Sequence, residues 1–374
     1  RDIRLNIRYQ TEDRTDFCDA MSRLIQLVTA VLLLIVKGNG LKESERIEEY
    51  HRRGHNWPPR LEDYTPSTPG WQKINERRIS QLLNIKGIGE SYDGFMVAAH
   101  TALNCKNFTE NGWGLTRAPQ DIIDRLLESL HNGMEKQKVN PTYEHRTGVI
   151  DGKRPYFIQQ PRLNDYIVKA LLPLHEAWSG VKLIPNNAYG LRVYRDGSNL
   201  NMHVDKTSTH IISSILHVDH EGNNEPWPII IEDFQGNTNE VNLESGDMLF
   251  YESSKCMHGR PKKMNGGWYS SIFIHYHPED WNAEKVTMDN HYRIPSSWDQ
   301  YSPRKAGGVE NLTVIESSFK EPDCEYEWCA LRKTVVLSGP APGYGKVMST
   351  GGAVTELENI PTEDSFYAES TNTL

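Results

Sequence analysis

Three residues of the chain can converge on a single metal ion, and their spacing constrains the fold more than any other feature. His203 and Asp205 are separated only by Val204, and His258 follows about 50 residues later. Side chains two residues apart on a β-strand point to the same face, so His203 and Asp205 aim together while Val204 turns away. A second histidine from a distant strand completes the set. The spacing therefore predicts a β fold in which separate strands bring these side chains together.

Two imidazoles and one carboxylate occupy one face of an octahedron and leave three positions open. This ligand set suits Fe(II) and is typical of non-heme iron oxygenases. The open positions allow a chelating co-substrate and O2 to bind side by side. The flanking sequence agrees, because Ser245-Gly246-Asp247 predicts a turn and Met248 to Tyr251 a short apolar strand just before His258.

These segments resemble the Fe(II)/2-oxoglutarate-dependent dioxygenases, in particular the prolyl 4-hydroxylase-like branch. The resemblance covers roughly residues 189 to 278. The matching residues are Tyr194 and Gly197 before His203-x-Asp205, Gly246-Asp247 before His258, and a closing strand from Trp268 to His275. It implies a double-stranded β-helix, or jelly roll, with His203, Asp205 and His258 as metal ligands and catalytic residues. It also implies 2-oxoglutarate as co-substrate, ascorbate as reductant and peptidyl proline as substrate.

The tripeptide His-Val-Asp occurs twice, which provides an internal control. The second copy, His217-Val218-Asp219, lies at the far end of the apolar run from His210 to Leu216. At about 3.3 Å per residue this run spans a whole strand, so the two copies are expected at opposite ends of a barrel. Only the first copy follows the Tyr194–Gly197 segment. We therefore assign the metal to the first copy and interpret His210, His220, His275 and His277 as structural or surface histidines.

One departure from the resembled family concerns the 2-oxoglutarate anchor. The family pairs the distal carboxylate of 2-oxoglutarate with a Lys or Arg at the start of the last strand, and alignment on Trp268 and His275 places Gly267 there. A buried carboxylate still requires a cation or several donors. The cofactor-binding candidates are Arg260, which we favour because Arg grips carboxylates bidentately, Tyr194, Arg192 and Lys262, with Lys263 as a weaker one.

Periodicity divides the chain into helices followed by strands. Helices are predicted at 72–85, 92–103, 119–132 and 162–178, with Gly133 and Gly180 as stops and Pro173 as a kink. Strands are predicted at 189–194, 210–218, 228–233, 240–243, 248–251 and 268–276. This order predicts a mostly β fold with flanking helices. The proposed divisions are an upstream segment with a signal peptide or anchor (1–40), a polar linker (41–70), a dioxygenase domain (71–280, core about 185–278), an extension (281–337) and a disordered tail (338–374).

The N-terminal region bears on localisation. Residues 24–36 form a short apolar run after Met21-Ser22-Arg23, which is typical of a secretory signal peptide. A retained membrane anchor and a buried helix are the alternatives. We expect the endoplasmic reticulum lumen or membrane. Of the five cysteines, Cys324 and Cys329 could close a small loop in an oxidising compartment, and Cys256 is interpreted as a small buried residue.

Charge excludes one class of partner. The formal net charge is −9, which argues against a nucleic-acid binder that works through general positive charge. The sequence thus predicts an Fe(II)/2-oxoglutarate dioxygenase that uses O2 and hydroxylates a protein or peptide, with a lysyl or small-molecule substrate left open. The alternative from another class is a catalytically inactive jelly-roll module for binding or scaffolding.

Overall fold

The computed structural model describes residues 107–144, 149–206, 208–222, 225–281 and 340–369, with short stretches at 48, 69–70, 73–74, 317–319 and 334–338. The strands are β1 (Trp113–Arg117), β2 (Ile150–Gly152), β3 (Tyr156–Phe157), β4 (Leu183–Arg195), β5 (Ser198–Val204), β6 (Ile212–His220), β7 (Ile229–Glu232), β8 (Thr238–Asn242), β9 (Asp247–Tyr251), β10 (His258–Arg260), β11 (Trp268–Pro278), β12 (Ser317–Phe319), β13 (Thr334–Ser338), β14 (Lys346–Met348) and β15 (Val354–Glu356). The helices are α1 (Gln120–Val139), α2 (Pro161–Ala170), α3 (Leu172–Ser179) and α4 (Glu363–Glu369).

Two facing sheets form the core, and the chain alternates between them. One has the order β15-β14-β1-β9-β6-β11-β4-β3 and the other β12-β5-β10-β7-β8-β13. From β4 to β11 the chain moves back and forth between the sheets, so the inner strands are β9-β6-β11-β4 facing β5-β10-β7-β8. This is a double-stranded β-helix, as the sequence predicted. All six predicted strands are present, although several begin or end a few residues away.

Apolar residues fill two layers. One cluster lies between the sheets and includes Leu115, Ile215, Ile231 and Leu249. The other lies between the larger sheet and the helices, where Ile122 and Leu126 of α1 pack with Leu216 and Phe250. The helices therefore cover one face of the larger sheet and leave the space between the sheets for a site. Among the described residues, no helix combines the length and apolar character needed to cross a membrane.

The helix boundaries correct one prediction and confirm another. Gly133 does not end α1, which continues to Val139. A Cβ at Gly133 would lie within 2.5 Å of Ile158, so glycine here permits close packing rather than termination. The predicted helix 162–178 is divided at Leu171 into α2 and α3. Pro173 in the first turn of α3 explains the break, and Gly180 ends α3 with φ 69°.

The predicted disorder of the C-terminal tail does not hold for residues 340–369. Strand β14 pairs with β1, and Phe366 of α4 is buried against the helix layer. Polar contacts also hold the segment, because Thr350 donates to Asp233 and Glu363 accepts from the backbone of Gln120 at the start of α1. Several predictions concern residues that the structure does not describe: the signal segment, most of the linker, the helix at 72–85 except residues 73–74, the helix at 92–103, most of the 281–337 extension, and Cys324 and Cys329.

Candidate metal centre

The three predicted ligands come together at one end of the space between the sheets. His203 lies at the end of β5, Asp205 directly after it, and His258 begins β10 opposite His203 in antiparallel register. Their ligand atoms all lie within 4.8 Å of one another. Asp205 Oδ1 is 3.5 Å from His203 Nε2 and 3.7 Å from His258 Nε2. The strand-spacing argument therefore predicted the convergence correctly.

Both imidazole rings are oriented by the backbone. His203 Nδ1 lies 2.7 Å from the carbonyl of Asn201, and His258 Nδ1 lies 2.8 Å from the carbonyl of Cys256. A carbonyl only accepts hydrogen bonds, so each Nδ1 carries a proton and each ring turns its Nε2 toward the centre. Burial, with the nearby His203, lowers the pKa of His258 to about 4. The rings are thus set in the form that binds a metal.

Asp205 supplies the negative charge of the group. Burial tends to raise the pKa of this carboxyl, but His258, His203 and His275 together hold it well below its usual value. Its backbone N–H donates to Ser253 at 2.9 Å, and its second oxygen, Oδ2, accepts from the hydroxyl of Tyr251 at 3.2 Å. The carboxylate is therefore ionised and fixed in orientation. Two imidazoles with one fixed carboxylate fit Fe(II).

The second His-Val-Asp copy does not join this group. His217 Nδ1 lies 2.9 Å from the carbonyl of Ser270, and its Nε2 lies 2.9 Å from His220 Nδ1. Burial, together with the nearby Arg260 and His220, lowers the pKa of His217 well below its usual value. With both ring nitrogens engaged, His217 has no lone pair directed at a ligand. Cys256, buried and bonded to the carbonyl of Gly112, also lies outside the group.

Arg260 extends from β10 across the space between the sheets. One guanidinium nitrogen donates to the carbonyl of Trp227, and another donates to the Tyr269 hydroxyl of β11 at 3.0 Å. The guanidinium carbon lies 4.8 Å from the centre of the Trp227 ring and 4.4 Å from that of Tyr269. Arg260 is 3% exposed. Among the described residues it has no carboxylate partner, which is uncommon for a buried cation.

Arg192 is equally buried but has its own counterion. It binds Glu144 through two nitrogens, at 2.5 and 2.7 Å, and donates to the Tyr194 hydroxyl at 2.9 Å. Burial tends to lower the pKa of Arg192, but Tyr194 and Glu144 raise it above its usual value. Burial raises the pKa of Tyr194, which remains a phenol. Arg192 is therefore committed to an internal ion pair.

The remaining anchor candidates lie at the surface. Lys262 and Lys263 are exposed, so neither ammonium reaches the space between the sheets. Gly267 is also exposed, precedes β11 and abuts the side chain of Glu221. The first residue of β11 that faces inward is Tyr269, two positions later. Neither Gly267 nor Tyr269 is a cation, so a cation for the distal carboxylate has to come from another strand.

Sequence reasoning missed three residues beside the metal group. Tyr251 was recognised only as part of an apolar strand, yet its hydroxyl contacts Asp205. His275 was interpreted as structural or surface, yet it is buried with Nδ1 3.9 Å from Asp205 Oδ2. The ring of His210 stacks on it at 3.9 Å between centroids. Tyr269 faces the space between the sheets, and His275, six residues later on β11, faces the same way. This can be deduced from sequence only if the first residue of the strand is known.

Two buried polar atoms lie on strands of the two facing sheets. Asn201 belongs to β5 just before His203, where the pairing with β10 shifts register, and Ser271 shares a strand face with Tyr269 and lies opposite both Arg192 and His217 in register. Asn201 Nδ2 and Ser271 Oγ are buried, and neither has a hydrogen-bond partner within the part of the chain that the structure describes. Buried polar atoms of native proteins normally have partners. Ser271 Oγ is thus available to a polar ligand, beside Arg260, a cation with no counterion among the described residues.

Comparisons with known proteins found similar solved structures at low identity. No known family model matches the chain, and no curated protein sequence does. A prolyl-4-hydroxylase from Pseudomonas putida is similar in structure at 13% identity, with 49% of this chain and 99% of that one covered and a TM-score of 0.34. A Trichoplax adhaerens prolyl hydroxylase in complex with a hypoxia inducible factor peptide is 11% identical, with 57% and 95% covered and a TM-score of 0.38. HygX from Streptomyces hygroscopicus, with nickel, 2-oxoglutarate and hygromycin B bound, is 12% identical, with 46% and 85% covered and a TM-score of 0.36.

Proposed function

We propose that this protein is an Fe(II)- and 2-oxoglutarate-dependent dioxygenase that hydroxylates an unactivated C–H bond of a peptidyl prolyl residue. The observation that carries the proposal is the convergence of His203, Asp205 and His258, with both histidine rings oriented by backbone carbonyls so that their Nε2 atoms face the carboxylate oxygen. Two imidazoles and one carboxylate leave three positions on a six-coordinate metal for co-substrate and O2.

Arg260 is the proposed anchor for the distal carboxylate of 2-oxoglutarate. It lies two residues after His258, which is roughly 7 Å along a strand, a distance that a five-carbon diacid chelated to the metal can bridge. A bound carboxylate would give this buried guanidinium the counterion that it lacks within the described residues. Ser271 Oγ is available to donate to the same ligand.

The protein supplies position, charge and a dry environment. Iron with 2-oxoglutarate and O2 supplies the oxidising chemistry, in which decarboxylation to succinate accompanies replacement of a C–H hydrogen by hydroxyl. His203, Asp205 and His258 would hold the metal, and Arg260 would fix the far end of the co-substrate. The aromatic rings of Trp227 and Tyr269 cover the guanidinium and exclude water, which strengthens the ionic contact.

Three parts of the proposal are supported by sequence alone. They are the prolyl substrate, ascorbate as the reductant that restores the iron, and the secretory route. The prolyl substrate and ascorbate follow from the resemblance of the Tyr194–His275 region to the prolyl 4-hydroxylase-like branch. Passage into the endoplasmic reticulum follows from the apolar run at 24–36, as a cleaved signal or a membrane anchor. These parts of the proposal are open to test separately from the metal centre.

The activity is tested by incubating the protein with Fe(II), 2-oxoglutarate, ascorbate, O2 and a set of proline-rich peptides. The proposal expects one succinate and one added oxygen on proline per turnover, measured by mass spectrometry. Succinate formation with no modified proline would redirect the search to lysyl or small-molecule substrates. Neither succinate nor modified peptide, with the metal bound, would favour the non-catalytic jelly-roll module.

Replacing Arg260 tests the anchor. Loss of a buried charge-assisted carboxylate contact costs roughly 2–5 kcal/mol, so Arg260→Ala should weaken 2-oxoglutarate binding at least about 30-fold. Fe(II) affinity should change little. Arg260→Lys keeps the charge but loses the bidentate geometry and should give an intermediate loss. The measurement is an anaerobic 2-oxoglutarate titration of the Fe(II) protein.

The surface variants Lys262→Ala and Lys263→Ala are the matched controls, because each removes a cation that does not reach the cavity. Both should bind 2-oxoglutarate like the wild type. Arg260 would be eliminated as the anchor if Arg260→Ala left the dissociation constant of 2-oxoglutarate unchanged. The same conclusion would follow if Lys262→Ala weakened binding as much as Arg260→Ala.

A further inference from the structure

The two carboxylate oxygens of Asp205 have different neighbours, and one of them contacts the hydroxyl of Tyr251. Oδ1 lies 3.5 and 3.7 Å from the Nε2 atoms of His203 and His258. Oδ2 points the other way and accepts from Tyr251 Oη at 3.2 Å. The two oxygens therefore have different surroundings, one facing the histidine ligands and the other facing a phenol.

Tyr251 is held rigidly in this position. It is the last residue of β9, 1% exposed, and pairs with Trp113 of β1 and Ser213 of β6 on its two sides. Its ring packs edge-on against the ring of His258, with centroids 4.6 Å apart. Tyr251 thus contacts two of the three proposed ligands, one through its ring and the other through its hydroxyl.

No other donor among the described residues takes this role. His275 Nδ1 is 3.9 Å from Oδ2, beyond hydrogen-bond distance, and lies 2.9 Å from Ser213 Oγ instead. The backbone N–H of Asp205 donates to Ser253 and leaves the carboxylate free to rotate. The Tyr251 hydroxyl is therefore the contact that sets the rotation of the Asp205 side chain.

We infer that Tyr251 is a positioning residue that keeps Asp205 a one-oxygen ligand of the metal. This inference rests on the proposed function. A carboxylate can bind a metal through one oxygen or two. With both oxygens bound, His203, His258 and Asp205 would fill four of six positions and leave two, which a chelating co-substrate would occupy alone. With Oδ2 held by Tyr251, three positions remain, and one is still open after the co-substrate binds.

The number of open positions can be counted directly with Mn(II) as the probe. Waters fill the positions that the protein leaves open, and line broadening of the Mn(II) electron paramagnetic resonance spectrum in oxygen-17 water counts them. The wild type should hold three exchangeable waters and Tyr251→Phe two. Tyr276→Phe is the matched control, because Tyr276 is also fully buried and donates one hydrogen bond, to the Val168 carbonyl on the helix side. It should hold three.

The outcomes separate this inference from the metal centre itself. Mn(II) binding that His203→Ala abolishes, with three waters in both wild type and Tyr251→Phe, overturns the role of Tyr251 and leaves the centre intact. Two waters in the wild type also overturn it. A wild type that does not bind Mn(II) overturns the proposed centre and this inference together. If Tyr251→Phe does not fold, Tyr251→Met fills the space without a donor and should likewise hold two waters.

Discussion

The two copies of His-Val-Asp differ in what surrounds them, although their sequences are identical. His203 of β5 and Asp205 directly after the strand lie on one face, with His203 Nδ1 bonded to the Asn201 carbonyl and His203 Nε2 directed at Asp205. His217 is buried with both ring nitrogens engaged, whereas the side chain of Asp219 is 32% exposed and lies 3.8 Å from His131 of α1. In the first copy the His and Asp side chains lie together, whereas in the second copy they lie in two different environments.

A β-bulge explains the division. On the regular strand β11, Ser270 and Ser271 are neighbours and point to opposite faces. They pair with Asp219 and His217 respectively, so Val218 is an extra residue in β6. The bulge therefore turns Asp219 toward the helix layer while His217 faces the space between the sheets. Alternation at i and i+2 holds only where a strand is regular. Residues 202–204 of β5 pair with β12 without a shift, and the register shift of β5 against β10 lies before His203, so His203 and Asp205 stay on one face.

The largest effect expected from this comparison is on metal affinity. His203→Ala or Asp205→Ala removes a ligand and should weaken Mn(II) or Fe(II) binding by more than about 100-fold, which exceeds the usual loss from an outer-shell change. His217→Ala and Asp219→Ala are the matched changes in the other copy and should keep the wild-type affinity within about twofold. Anaerobic calorimetry measures all four. Equal losses in His203→Ala and His217→Ala would mean that the bulge does not separate the copies.

A smaller effect concerns pH and stability. The pKa of His217 is held well below its usual value by burial first and by Arg260 and His220, so folded His217 is neutral. The unfolded chain takes up a proton on this ring below about pH 6.5, so this contribution to stability is present above that pH and is lost as pH falls. His217→Gln does not titrate. Between pH 7.5 and 5.5 its free energy of unfolding should fall by about 1.4 kcal/mol less than that of the wild type.

The measurement is urea denaturation of the metal-free proteins at the two pH values. The metal-site histidines are present in both proteins, so their titration cancels in the comparison. Parallel losses of stability in wild type and His217→Gln would show that His217 titrates alike when folded and unfolded, which is inconsistent with its burial.

The smallest effect is at Asp219. Its Oδ2 lies 3.8 Å from His131 Nε2, with the Asp219 and His131 side chains 32% and 66% exposed, and charged pairs at the surface contribute roughly 1 kcal/mol or less. Asp219→Asn should therefore change the midpoint of urea denaturation very little at neutral pH. A loss of several kcal/mol would indicate that Asp219 is needed for the bulge itself rather than for a surface contact.

Local rules predicted the parts of this fold that depend on neighbours in sequence. Alternation along a strand placed His203 and Asp205 together, Pro173 marked the break between α2 and α3, and Gly180 marked a helix end. Each follows from the conformation of one residue or from a period of two. The six predicted strands were found for the same reason.

Features that depend on distant partners could not be predicted. Val218 carries no sign of a bulge, because the extra residue arises from the pairing of β6 with β11. Gly133 looks like a helix stop unless Ile158 is known to lie against it. The ordered C-terminal segment has few apolar residues, and it is held by contacts such as Thr350 with Asp233, 117 residues apart. Arg260 was favoured from sequence, but the pairing of Arg192 with Glu144, 48 residues away, which commits Arg192 elsewhere, could not be foreseen.

The central claim is that the first His-Val-Asp copy, with His258, holds iron in a form that 2-oxoglutarate chelates. Anaerobic addition of 2-oxoglutarate to the Fe(II) protein tests it most directly, because the chelate has a visible metal-to-ligand charge-transfer band. The account predicts that the band appears in the wild type and in His217→Ala and is absent in His203→Ala. A wild type that binds Fe(II) and 2-oxoglutarate without this band, or a band that persists in His203→Ala, would contradict it.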